Sequence, residues 1–138
     1  MTKKGSSEAL VLGAGPGALA IAAALSNEGI SVAVLAAQDH RRPWPYTYGI
    51  WGEEVDEMGL SHLLEHRWNN TVSYFGQGSN DPKDISNNLT RHGLDYGLFD
   101  KAKLQKHWLS ECESGSVTWH KGIAEKLLID KKESKVIS

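Results

Sequence analysis

The chain has 138 residues, a length that fits one domain of ordinary size. Hydrophobic residues make up 40% of it and charged residues 23%, which excludes a disordered tail, a collagen and a protein that spans a membrane several times. Fifteen basic residues against 17 acidic ones give a net charge of -2, which argues against nucleic acid as a partner. The single cysteine, Cys112, excludes an internal disulfide and a thiolate zinc site.

A strand, a glycine turn, a helix and a second strand are predicted at the start of the chain. Glu8–Leu12 is an apolar run that predicts a buried strand, and Pro16–Glu28 has the apolar spacing of a helix that ends before Gly29. Ile30–Ala36 is apolar nearly throughout, as expected of a parallel strand covered on both faces. Together these elements predict one right-handed βαβ unit.

The same region also has features of a secretory signal peptide, because two lysines precede the apolar stretch Ala9–Leu25. Glycines interrupt that stretch at its middle, where a signal peptide has a continuous helix. We therefore expect the segment to remain in a protein that is not secreted. The use of one cysteine favours a reducing, cytosol-facing compartment.

The middle of the chain predicts a loop, a helix and three further segments. Gln38–Gly52 contains two prolines and predicts a loop, whereas Glu53–His66 predicts an acidic helix. Thr71–Phe75 and Leu94–Phe99 are predicted strands. Between them, Gly76–Asp95 is polar and predicts a surface excursion or a loose hairpin.

The last part of the chain predicts a helix followed by strands. Asp100 is expected to cap a helix that runs to about Glu113. Val117–His120 predicts a third parallel strand. Ala124–Asp130 and Val136–Ser138 predict the first strands of an antiparallel meander.

The turn after the first strand matches the pattern G-x-G-x-x-G/A. In that pattern Gly13 makes the tight turn, Gly15 lets the backbone approach a pyrophosphate, and Ala18 lets the helix lie close to the sheet. The N–H groups at the helix N-terminus attract phosphate. The strand before it and the helix after it favour a dinucleotide site over a turn that serves packing alone. The predicted cofactor-binding residues of this turn are Gly13, Ala14, Gly15, Pro16, Gly17 and Ala18.

The end of the second strand departs from the pattern. An acidic residue about 20 residues after the glycines normally binds the ribose, but Ala36 and Gln38 occupy this region and Asp39 comes only afterwards. Asp39, Gln38 or a backbone group is the candidate ribose partner, and a solvated Asp39 without this role is the alternative. Arg42 is a candidate partner of the cofactor phosphate or ribose, and a solvated surface residue without this role is the alternative.

Three other features of the sequence are candidates for metal binding, thiol chemistry or ligand binding. His62 and His66 have helical zinc-binding spacing, but no third ligand stands nearby, so no metal site is predicted. Cys112 is predicted to be a buried, unreactive thiol. An aromatic group either shapes an apolar pocket for a polyene or flavin, or pins a loop to the core: Trp44, Tyr46, Tyr48 and Trp51.

The segment R-P-W-P-Y-T-Y-G-I-W at residues 42–51, followed by the acidic stretch E-E-V-D at residues 53–56, resembles the lycopene cyclases of plants and cyanobacteria. E-H-R-W at residues 65–68, Y-G-L-F-D-K at residues 96–101 and V-T-W-H at residues 117–120 follow in the order of the family's motifs. The resemblance extends from about Leu10 to Val136. Lys101 departs from it, because the family has arginine there.

The resemblance implies an α/β fold, namely a FAD-binding Rossmann-like domain with a parallel βαβ core and the start of an antiparallel meander. Residues 1–138 are expected to be the N-terminal part of one such domain, with the remaining flavin and substrate portions and the catalytic acid beyond Ser138. We therefore expect these residues alone to lack cyclase activity.

The family closes the linear ends of lycopene into rings by protonation, attack of a carbocation along the chain and loss of a proton, without net redox change. The resemblance further implies NAD(P)H as the electron source for FAD, and peripheral association with the cytoplasmic side of a membrane. Two alternatives remain from the residues themselves. One is a redox flavoprotein, such as a monooxygenase or a geranylgeranyl-type reductase, and the other is a nucleotide-binding module without catalysis.

Overall fold

The computed structural model describes residues 5–74 and 89–138. It divides into a first unit, Met1–Pro45 with Leu104–Ser138, and a second unit, Tyr46–Lys103. In chain order the elements are β1 (Ala9–Leu12), α1 (Pro16–Asn27), β2 (Val32–Ala36), β3 (Gly49–Trp51), α2 (Gly52–Glu57), a 3₁₀ turn (Ser61–Leu63), β4 (Leu64–Trp68), β5 (Val72–Tyr74), β6 (Leu89–Arg91), β7 (Tyr96–Phe99), α3 (Lys101–Ser114), β8 (Thr118–Lys121), β9 (Lys126–Ile129) and β10 (Ser134–Ile137).

The first unit is built on a parallel sheet in the order β1-β2-β8, which confirms the predicted βαβ unit and third parallel strand. All five residues of β2 are buried. In β1, however, Leu10 and Leu12 are 42% and 54% exposed. The prediction of a buried strand was therefore wrong for the face of β1 that carries Leu10 and Leu12, because side chains alternate between the two faces of a strand and this face is not covered by the described residues.

Small apolar residues bring α1 close to the sheet of the first unit. Ala22 and Ala23 pack with Val34, Cys112 and Val117 in one buried cluster. Pro16 is at the start of α1, a position where a backbone N–H would have no partner within the helix, so proline costs no hydrogen bond there. After the helix, Gly29 has a φ of 83°, a left-handed conformation that favours glycine. The predicted start and stop of this helix are confirmed.

The second unit contains an antiparallel sheet in the order β3-β7-β4 and a ribbon of β5 and β6. The predicted helix Glu53–His66 was wrong beyond α2. Gly59, at φ 67°, follows the short helix, and β4 then pairs with β7. The loop predicted at Gln38–Gly52 contains β3, which the sequence did not reveal because so short a strand forms only through its pairing with β7. Gly97 suits this centre, because a Cβ there would lie 2.7 Å from Leu64 Cδ2.

The remaining predictions for strands and caps agree with the structure where it describes them. β5 and β6 pair at the ends of the predicted excursion, whose residues 76–88, with Phe75, lie outside the described residues. Asp100 Oδ1 accepts the N–H groups of Ala102 and Lys103, both at 3.1 Å, and so caps α3. β9 and β10 form the predicted antiparallel pair. Among the described residues, no helix is long and apolar enough to cross a membrane.

Candidate cofactor site

The glycine turn joins β1 to α1 in the first unit. Gly13 donates its N–H to the Leu35 carbonyl at 2.8 Å, which ties the turn to β2. Its φ of 107° requires glycine. Gly15 is the N-cap residue of α1, and its carbonyl accepts the Leu19 N–H at 3.0 Å. The pattern in the sequence therefore produces the strand, tight turn and helix N-terminus that a dinucleotide site needs.

The space beside the turn is open. A Cβ added at Gly15 or Gly17 would meet no heavy atom of the described residues within 4 Å. Gly15 has φ -79° and ψ 178°, an extended conformation that any residue adopts, so its backbone does not demand glycine. No side chain from the part of the chain that the structure describes caps α1. Bare backbone N–H groups and open space fit a bound pyrophosphate.

Trp44 is hydrogen-bonded to the backbone of the glycine turn. It is 6% exposed, and its Nε1 donates a hydrogen bond to the Ala14 carbonyl at 2.8 Å. For Trp44, the interpretation as a residue that pins its loop is therefore correct. Tyr46 and Trp51 belong to the second unit, where Tyr46 is 72% exposed and Trp51 packs edge-on against Tyr96 with ring centroids 5.2 Å apart.

The segment after β2 holds the candidate ribose and phosphate residues. Asp39 is exposed, and its Oδ1 accepts the Arg41 N–H at 2.8 Å while its carbonyl accepts the Arg42 N–H at 3.0 Å. The Arg42 guanidinium donates to Gln38 Oε1. Ala36 is 7% exposed. Asp39 thus shapes its own turn, and the contacts of Asp39 and Arg42 with a cofactor stay predictions.

Sequence reasoning missed Gln105, which is on α3 and only 6% exposed. Its Nε2 donates to the carbonyl oxygens of Arg42, at 2.8 Å, and His40, at 3.2 Å. Its Oε1 accepts the Trp44 N–H at 3.3 Å. The one signal in the sequence was that Gln105 has helical spacing with Trp108, Leu109 and Cys112, which places a glutamine on an apolar side of the helix.

His40, in the same segment, stacks on Trp119 of β8. The ring centroids are 3.8 Å apart and the planes differ by 7°. Burial lowers the pKa of His40, and Arg41 lowers it further, whereas Asp39 raises it. Its Nε2 is buried without a hydrogen-bond partner among the described residues. The neutral ring is therefore the form that this position favours.

Cys112, His62 and His66 are the remaining residues that the sequence offered for chemistry. Cys112 is fully buried, its Sγ lies 3.5 Å from the Leu19 carbonyl, and burial raises its pKa to about 11. The predicted buried thiol is confirmed. The predicted helix with His62 and His66 on one side was wrong, because His62 lies on the 3₁₀ turn and His66 on β4. Residues 5–74 and 89–138 contain no group of His, Cys, Asp and Glu that could hold a metal ion.

Solved structures show which fold the chain has. The halogenase PltM, also solved in complex with phloroglucinol and FAD, superimposes with a TM-score of 0.69, 12% identity, and coverage of 95% of this chain and 32% of the halogenase. A geranylgeranyl bacteriochlorophyll reductase-like protein from Thermoplasma acidophilum gives a TM-score of 0.61 and 15% identity, with coverage of 91% and 32%. At these identities the likeness concerns the fold alone. The fold is that of the FAD-binding, Rossmann-like flavoproteins.

The chain belongs to the lycopene cyclase family, whose model, "Lycopene cyclase protein", matches residues 8–138. It is 46% identical over 127 residues to a lycopene beta cyclase of Synechococcus elongatus, covering 92% of this chain and 28% of that protein. It is also 28% identical over 127 residues to the chloroplastic lycopene beta cyclase of Arabidopsis thaliana, covering 92% and 23%. The chain thus spans about a quarter of the length of these relatives, and the resemblance seen in the sequence is confirmed.

Proposed function

We propose that this chain is the N-terminal, FAD-binding part of a lycopene cyclase, and that residues 1–138 belong to one flavin domain. The observation that carries the proposal is the glycine turn, where a Cβ at Gly15 would meet only open space. Membership of the family over residues 8–138 supplies the context. The whole protein would then close the linear ends of lycopene into rings without net redox change.

In this proposal the glycine turn binds the pyrophosphate of FAD. Gly13 and Ala14 bring the backbone to the phosphates, Pro16 fixes the first turn of α1, and Gly17 and Ala18 present N–H groups at its N-terminus. The adenosine then extends toward the end of β2, where Asp39 or Gln38 binds the ribose and Arg42 binds the ribose or a phosphate. Arg42 would have to leave Gln38 to do so, since its guanidinium bonds to Gln38 Oε1.

Reduced FAD would supply an electron-rich ring that stabilises the carbocation formed when lycopene is protonated. NAD(P)H is the proposed source of its electrons, and lycopene or a related linear carotene is the proposed substrate. Because such a substrate is wholly apolar, we propose that the whole protein associates with the surface of a membrane. These residues contribute the binding of the cofactor's ADP half, and the acid that protonates lycopene is proposed to lie outside them.

A chimera tests this proposal. The region of the Synechococcus elongatus lycopene beta cyclase matched by this chain is replaced with the chain, and the chimera is expressed in bacteria that accumulate lycopene. We expect ring-containing carotenes. A soluble, FAD-loaded chimera that leaves lycopene linear would contradict the proposal.

Two controls sharpen the experiment. The chimera carrying Gly15→Val should leave lycopene linear, because the added side chain fills the space beside the turn. The chain expressed alone should also leave it linear. A hydroxylated or hydrogenated carotene from the chimera would favour the redox alternative.

A further inference from the structure

Gln105 is a buried polar residue at a position where an apolar side chain would fill the same space. A buried amide is unfavourable compared with an apolar side chain unless its hydrogen bonds are made. Gln105 directs both of its polar atoms to the segment after β2, through the carbonyls of His40 and Arg42 and the N–H of Trp44. Glutamate lacks the donors for the two carbonyls, and methionine, which has the right length, lacks both functions. The position therefore selects an amide that holds residues 40–44.

Trp44 passes this restraint to the glycine turn. Its indole Nε1 donates to the Ala14 carbonyl at 2.8 Å. The Ala14 carbonyl and the Gly15 N–H belong to one planar trans peptide, so the two groups point in opposite directions. A hydrogen bond that holds the carbonyl therefore also sets the direction of the Gly15 N–H, next to the open space beside the turn.

We propose that Gln105 and Trp44 form a latch that orients the peptide between Ala14 and Gly15 for binding of a dinucleotide pyrophosphate. This inference rests on the proposed function and names two positioning residues for its cofactor. Neither side chain needs to touch the cofactor, because Gln105 acts through Trp44 and Trp44 acts through a backbone carbonyl.

The test compares ligand affinity with stability in the purified chimera with the Synechococcus elongatus cyclase, because part of the flavin site is proposed to lie outside residues 1–138, and substitutions are compared with the unsubstituted chimera as the wild type. ADP and FAD are titrated by calorimetry into the wild type, Gln105→Met and Trp44→Phe, and each protein is melted without ligand. Trp44→Phe keeps an aromatic ring and removes the donor to Ala14, so it serves if Gln105→Met does not fold. The matched control is Val117→Ala, which shortens a buried core side chain that makes no latch hydrogen bond.

Both variants are expected to release the hydrogen bond that holds the Ala14 carbonyl, Trp44→Phe directly and Gln105→Met through Trp44, and so to bind ADP and FAD about tenfold more weakly. The double variant should be weakened by less than the product of the two single effects, because both act on one peptide. Val117→Ala should lower the melting temperature while leaving both affinities within about twofold of the wild type.

The outcomes separate the latch from the proposed function. Folded latch variants that bind ADP as tightly as the wild type would overturn the latch and leave the proposed function standing. A Val117→Ala protein weakened as much as the latch variants would also overturn it, since general destabilisation would then explain the loss. A wild type that binds neither ADP nor FAD would overturn the proposed function, and the latch with it.

Discussion

The interactions inside the first unit differ in kind from those inside the second unit. In the first, the centre is neutral, with a fully buried β2, a cluster of small apolar side chains and the buried amide of Gln105. In the second, a small apolar core that includes Val55 is joined by Arg67, whose guanidinium bonds to both oxygens of Asp56 at 2.8 Å and to Asp95 at 3.0 Å. These charged groups are partly exposed, so salt and acid reach them.

This difference bears on what each unit can do. A surface made of backbone, such as the glycine turn, keeps its shape only if the groups behind it are fixed, and neutral buried groups do this at any ionic strength. In the second unit, in contrast, the ion pairs of Arg67 add a stabilising contribution that depends on charge. The hydrogen bonds from Arg67 lower the pKa of Asp56. The hydrogen bonds to Asp56 and Asp95, in turn, raise the pKa of Arg67.

The largest expected effect concerns the backbone surface of the first unit. Gly15→Val should abolish FAD binding, because the isopropyl group fills the space into which the pyrophosphate fits. The melting temperature of the ligand-free protein should hardly change, since the backbone at Gly15 is extended and its Cβ site is open. Calorimetric titration and thermal melting measure the two quantities.

The control for that experiment reverses the two effects. A Cβ at Gly115 would collide with the Ser26 hydroxyl, so Gly115→Ala should lower the melting temperature and retain FAD binding. A Gly15→Val protein that keeps its flavin would count against the pyrophosphate assignment.

The next effect concerns the charged centre of the second unit. Arg67→Lys keeps the charge but loses the planar fork that bonds to both oxygens of Asp56, so it should lower the melting temperature by a few degrees. The difference from the wild type should shrink in 1 M salt, at which screening acts within about 3 Å. Equal melting temperatures at low salt would show that the network adds nothing measurable.

Acid should affect the two units in different pH ranges. The lowered pKa of His40 means that the unfolded chain takes up a proton first, so the first unit loses stability as the pH falls below the ordinary histidine value of 6.5. The lowered pKa of Asp56 stabilises the second unit above the ordinary aspartate value of 3.8, and this contribution is lost as the pH falls further.

Denaturant titrations between pH 7.5 and pH 3 test this separation. His40→Phe, which retains a ring to stack on Trp119, should flatten the change in the free energy of unfolding around pH 6. Asp56→Asn should flatten only the acid end. A His40→Phe profile with the slope of the wild type around pH 6 would assign that slope to another group.

The smallest effect concerns Cys112. Because burial raises its pKa to about 11, the thiol should react very slowly with iodoacetamide at pH 8 in the native protein and readily after denaturation. Mass spectrometry of the alkylated protein measures both rates. Rapid native labelling would mean that the core of the first unit opens often.

Sequence patterns predicted the first unit well because its determinants are local. Pro16 and Gly29 mark the ends of α1, and the glycine turn lies between two apolar runs. The second unit was predicted poorly because distant pairing decides its structure. Met58, three residues after the buried Val55, would share its side of a continuous helix, yet Met58 is 52% exposed, the chain turns after α2, and β4 pairs with β7.

The candidate site divides in the same way. The strand, tight turn and helix start around Gly13 and Gly15 could be predicted from the spacing of the glycines, whereas their binding role stays a prediction. The roles of Trp44 and Gln105 depend on α3 returning to the segment after β2, and no local pattern records that contact. For Asp39, the sequence left two interpretations open, and its bond to the Arg41 N–H adds a local structural role.

The central claim is that backbone N–H groups of the glycine turn bind the pyrophosphate of a dinucleotide. Titration of ADP into the 15N-labelled protein, followed by amide chemical shifts, tests it most directly. We expect the largest shifts at Gly15, Gly17 and Ala18, and a smaller shift of the Trp44 indole N–H, which is hydrogen-bonded to the Ala14 carbonyl. Amides of the turn that stay unmoved at saturating ADP, or shifts concentrated in the second unit, would contradict it.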